Sequence, residues 1–78
     1  MSGEYWNVIS LKLDVYARVE WMLLQMIERC KVQGLTCYHY IIDLGRIKLI
    51  PEVYEMHGFT CHVGHNGDLW VSQETNKV

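Results

Sequence analysis

Apolar residues first mark out a helix over residues 14–33. Tyr16, Val19, Leu23, Met26 and Cys30 recur at alternating steps of three and four, which lines them along one helical face. Val15, Met22 and Ile27 widen that stripe. Asp14 has the side chain of an N-cap. Gly34 suits the left-handed position just past a helix C-terminus, with Leu35 returning onto Cys30. Trp21 and Leu24 fall on a second face, so the pattern predicts a core on one side and a neighbouring subunit on the other. Residues 5–13 carry two patterns at once. Tyr5, Asn7, Ile9, Leu11 and Leu13 alternate with Trp6, Val8, Ser10 and Lys12, as in a strand, yet the same stretch also extends the helix backwards with Ser10 as its cap.

Residues 36–43 are rich in aromatic and β-branched types and read as a strand. Asp43-Leu44-Gly45-Arg46 places Gly where a type II turn needs positive φ. Residues 47–50 either return as a short hairpin arm, with Ile42 opposite Ile47 and Tyr40 opposite Leu49, or form a loop. Pro51 suits the first position of a helix, and Glu52 favours that end of its dipole. The predicted short helix, 51–57, ends at Gly58, with Phe59 folding back onto Tyr54.

Residues 59–73 read as a hairpin. His65-Asn66-Gly67 suits a type I turn followed by Gly in the left-handed region. That register opposes Val63 with Leu69 and Cys61 with Val71, so Phe59, Cys61, Val63, Leu69 and Val71 make a core face. Thr60, His62, Trp70 and Ser72 make the other. The expected fold is α+β: two helices packed on one face of a small, mostly antiparallel sheet of three to four strands. One domain spans 1–78, with 1–4 and 74–78 expected to be flexible.

The order of these signals resembles that of small bacteriophage accessory proteins. The matching pieces are Met26-Ile27-Glu28-Arg29-Cys30-Lys31-Val32-Gln33-Gly34, Tyr54-Glu55-Met56-His57-Gly58-Phe59-Thr60-Cys61-His62-Val63, and Leu69-Trp70-Val71-Ser72-Gln73. Gln73 departs from the aromatic ending usual in such chains. These pieces are caps and strand alternation with no catalytic residue among them. The resemblance therefore implies a fold and a phage origin, and with it binding to host machinery, defence proteins or their signals.

Composition narrows the function classes. With 78 residues, the interior is small, yet half the residues (50%) are hydrophobic, including three Trp and five Tyr. Some of that surface should lie outside, where apolar patches mark interfaces, and a homo-oligomer is expected. The formal net charge is −2 with no basic block, which argues against nucleic acid as a partner. The longest apolar run, 21–24, is far too short to span a bilayer, and residues 1–6 lack the pattern of a signal peptide, so a cytoplasmic protein is expected. Cys30, Cys37 and Cys61 form neither a disulfide framework nor a CxxC zinc motif and read as thiols, two or three of them buried.

Catalytic constellations are weak. Zinc would need His39, His62 and His65 to meet across the sheet; otherwise these are surface or interface histidines. Cys37 beside His39 is a loose nucleophile–base pair. Glu52 and Glu55, three apart, read as solvated carboxylates. No cofactor and no enzymatic activity are expected. The aromatic sheet face is more informative. His62 and Trp70 oppose each other there, joined from the first strand either by Tyr38 and Tyr40 or by His39 and Ile41. With Trp21 on the helix, these are the candidate binding residues, and such side chains favour protein interfaces. The chain thus reads as a non-enzymatic interaction protein, and the phage resemblance implies an inhibitor or modulator that binds a host protein. The alternative is an oligomer sequestering a nucleotide or similar signalling ligand, with Arg29, Arg46 or Lys48 meeting phosphate.

Overall fold

The apolar stripe does wind into a helix, and what it needs is a sheet to cover it. The computed structural model describes the backbone of residues 3–73 and the side chains of residues 14–73. It contains one helix, α1 (Gly3–Gln33), and four strands, β1 (Cys37–Ile41), β2 (Glu52–Met56), β3 (Phe59–Val63) and β4 (Asp68–Gln73). The strands form one antiparallel sheet in the order β1-β4-β3-β2. The α+β class stands.

Val15, Val19, Leu23, Met26, Ile27 and Cys30 of α1 pack on Phe59, Cys61, Val63, Leu69 and Val71 from the two central strands. The loop between β1 and β2 adds Ile42, Leu44 and Leu49 to this core. No polar side chain is buried among the described residues. Helix α1 ends as its sequence requires: Gly34 has φ 70°, and the Leu35 N–H donates to the Cys30 carbonyl at 2.9 Å, the long bond of a Schellman ending.

The β3–β4 hairpin has the register expected of it, with Val63 opposite Leu69 and Cys61 opposite Val71. Its loop closes through Gly67 N–H to the Gly64 carbonyl at 3.1 Å, with Gly67 at φ 93°.

The second helix, the Asp14 cap and the turn at 43–46 are not found, and the alternatives at residues 5–13 and 47–50 are decided. Among the described residues there is no second helix: residues 52–56 are strand β2, and His57-Gly58 is a two-residue turn with φ 54° and 82°. Two positive φ values make a type I′ turn, whose twist matches the strands it joins. A helix of two turns is marginal alone, whereas the strand sets Tyr54 and Met56 against the core. The backbone of residues 5–13 is helical, so Asp14 lies inside α1 and caps nothing. Pro51 precedes a strand. Residues 47–50 do not pair with β1, whose partner is β4. They instead cross the end of the sheet, where Leu49 N–H donates to the His65 carbonyl at 3.0 Å. The hydrogen-bonded turn there is Leu44–Ile47, with Gly45 first of its two central residues, rather than 43–46. The segments 1–2 and 74–78, expected to be flexible at the chain ends, lie outside the described residues.

Two glycines give a graded test. A Cβ at Gly67 would collide with the Ile42 carbonyl oxygen, while one at Gly58 meets nothing within 4 Å. Gly58→Ala should cost only the left-handed backbone penalty, about 1 kcal/mol. Gly67→Ala should add the collision and reach about 3 kcal/mol. Urea denaturation of both variants checks the order.

Candidate functional site

Strand alternation sends the aromatic residues of β1 and β4 to two places. The face of the sheet away from α1 carries a continuous row through all four strands. His39 is opposite Trp70, Trp70 opposite His62, and His62 opposite Val53. The His39 and Trp70 rings stack with centroids 3.9 Å apart and an interplanar angle of 11°. His39 Nε2 lies 3.5 Å from Asp68 Oδ1. Trp70 is 46% exposed, and Ile41 and Val53 near it are more exposed still. Glu55, Thr60, Ser72 and Cys37 make a parallel, more polar row. No described element covers this face.

The second place is a cleft of about 250 Å³ between α1 and β1. Trp21, Met22, Gln25 and Arg29 line its helical wall, Tyr38 and Tyr40 its strand wall. Arg29 Nη1 donates to Tyr38 Oη at 3.3 Å, and its guanidinium sits 5.8 Å from the Tyr38 ring centroid. Trp21 is 59% exposed.

The five candidate residues therefore do not form one site. Trp70 and His62 share the open sheet face; Trp21, Tyr38 and Tyr40 share the cleft on the other side. Of the two options for β1, His39 and Ile41 are the residues that join Trp70, because Tyr38 and Tyr40 stand opposite the inward-facing Val71 and Leu69. Trp21 and Leu24 part company too: Leu24 lines a shallow hollow with Ile27 and His57 on another flank of the helix. Val53 was missed because residues 51–57 read as a helix. The alternation of Glu52, Val53, Tyr54, Glu55 and Met56 ahead of a His-Gly turn was the available signal. Of the cations considered for phosphate, only Arg29 reaches the cleft, and Lys48 instead donates to Asn66 Oδ1 at 2.6 Å.

No group of three His, Cys, Asp or Glu among the described residues is placed to hold a metal ion. Burial pushes the Cys61 thiol above its ordinary range; burial and then the neighbouring Cys37 do the same to Cys30. Burial foremost also raises the Tyr54 hydroxyl, with Cys61, Glu52 and Glu20 adding to it. Cys37 is exposed. Also among the described residues, no helix is long and apolar enough to cross a membrane.

Comparison of the chain with known protein families, with characterised proteins and with solved structures finds no match.

The thiols set a pH dependence. In the unfolded chain Cys30 and Cys61 ionise near the ordinary value, about 8.5, while the folded chain holds them protonated to higher pH. Their stabilisation is complete below that value and is lost as pH rises through the folded values. Chemical denaturation from pH 7 upward should show stability falling on the alkaline side, with a shallower fall in Cys61→Ala. Thiol titration of the folded protein should find Cys37 modified first.

Proposed function

We propose that this is a non-enzymatic binding protein that docks a partner protein on the open sheet face, with Trp70 as the central anchor. The observation that carries this reading is the exposed Trp70 held flat against His39 in the middle of the cross-strand row. Tryptophan is enriched at binding hot spots, and a ring already fixed by stacking loses little freedom on docking. Strand β4 lies between two neighbours, which gives the anchor a stiff base. His62, Val53 and Ile41 supply further contact, and Asp68 and Glu55 a charged rim. Such a patch acts by occupying a surface that the partner needs elsewhere. The resemblance to small bacteriophage accessory proteins makes that partner a host protein in the bacterial cytoplasm.

A second reading belongs to the cleft. Trp21, Tyr38 and Tyr40 offer flat faces, and Arg29 a cation, to a planar anionic ligand such as a nucleotide. It places a signalling ligand, not a protein, as the target.

Trp70→Ala should keep the helical circular dichroism signal and weaken binding to the captured host protein by roughly 30-fold or more, the scale of a hot-spot loss of about 2 kcal/mol. Trp21→Ala should leave that affinity unchanged. A bacterial lysate supplies the partner, and titration of the purified partner gives the two affinities. Loss of binding in both variants, or in Trp21→Ala alone, overturns the reading.

A thermal-shift screen against nucleotides tests the cleft. A ligand at 100 times its Kd adds about 2.7 kcal/mol to stability, and Arg29→Ala should abolish the shift. No shift with any nucleotide rejects the second reading.

A further inference from the structure

We propose that the protein forms a symmetric dimer by pairing β1 with β1 of a second copy, which joins the two sheets edge to edge. The inference is independent of the Trp70 reading and concerns a different part of the sheet, its β1 edge.

The two edges of the sheet differ. Strand β2 follows Pro51 and carries Glu52 and Glu55, the residue types that discourage edge pairing. Strand β1, Cys37-Tyr38-His39-Tyr40-Ile41, has no proline and neither Lys, Arg, Asp nor Glu. Its even-numbered positions are spent on β4. Ile42 N–H donates to the Gly67 carbonyl at 2.9 Å, and the Thr36 carbonyl accepts from Gln73 N–H at 2.8 Å. In an antiparallel ladder a residue directs both its backbone groups to one neighbour, and successive residues alternate. The N–H and C=O groups of Cys37, His39 and Ile41 therefore point out of the sheet. No described segment bonds to them.

Those groups are self-complementary. Antiparallel pairing centred on His39 sets His39 against its counterpart and Cys37 against Ile41 of the second copy. Every outward group then finds a partner, and Tyr38 comes to face Tyr40 of the other copy on the helix side. One patch meets the same patch, as an isologous interface requires.

A further feature favours a second copy over an unrelated strand. Helix α1 rides over β1 and β4. A twofold axis between the two His39 residues, normal to the sheet, sets the two α1 helices side by side above the joined strands. The flank of α1 beside β1 offers Trp21 and Met22 to that contact.

Light scattering and cross-linking test this. The intact protein should have the mass of a dimer at micromolar concentration. Ile41→Pro removes one outward N–H, which a free edge strand tolerates, so this variant should be a monomer with unchanged circular dichroism. Ile41→Cys should form an intermolecular disulfide between Cys37 and position 41 under mild oxidation, because paired positions have Cα atoms about 5.5 Å apart. Within one strand the two positions are about 13 Å apart and cannot join. Peptide mapping of that cross-link decides the register even if Ile41→Pro fails to fold. A monomer at all concentrations, a dimer that survives in folded Ile41→Pro, or absence of the cross-link overturns the proposal.

Discussion

The structure depends on one contact: the apolar stripe of α1 seated on the inner face of the sheet. Leu23, Leu69, Val71, Cys30 and Cys61 are fully buried there, and truncating a leucine at such a site costs about 2–5 kcal/mol. In so short a chain that is a large part of the total. The contact also settles orientation. Once Cys61, Leu69 and Val71 face the helix, the pleat sends His62 and Trp70 the other way. The open face is thus a consequence of core burial: shifting β4 by one residue would bury Trp70 and expose Leu69, and shifting β3 would bury His62 and expose Cys61.

The same contact explains the inequality of the two flanks. One helix covers part of a four-stranded sheet, and α1 lies toward β1 and β4. On that side the gap between helix and strand becomes the aromatic cleft, with Arg29 held by Tyr38. At the other edge Tyr54 and Met56 close against the core, and β2 carries its carboxylates outward into solvent. The protein therefore presents a flat face, a cleft and an unprotected edge, each built from a different set of residues.

How much of this was legible in the sequence depended on how local the determinants were. The Schellman ending at Gly34 and the β3–β4 hairpin are fixed by residues within a few positions of one another, and both were readable with their register. Segment 51–57 was misread because Pro, Glu and a terminal Gly are helix signals, while the competing evidence lay across the sheet: Tyr54 opposite Cys61 and Met56 opposite Phe59. The choice between Tyr38 with Tyr40 and His39 with Ile41 was undecidable for the same reason. It turns on which strand β1 joins, and β4 begins 27 residues beyond the end of β1 (68 against 41). Trp70 and His62 were placed together because one hairpin holds both. Trp21 was assigned to a helix surface without the strand that makes it part of a cleft.

The central claim is that the open sheet face, not the cleft, meets the partner protein. Oxidative footprinting reads this directly, since Trp21 and Trp70 report on opposite sides of the sheet. Saturation with the captured partner should protect Trp70 and leave the oxidation of Trp21 unchanged. Protection of Trp21 with Trp70 still reactive would contradict the account.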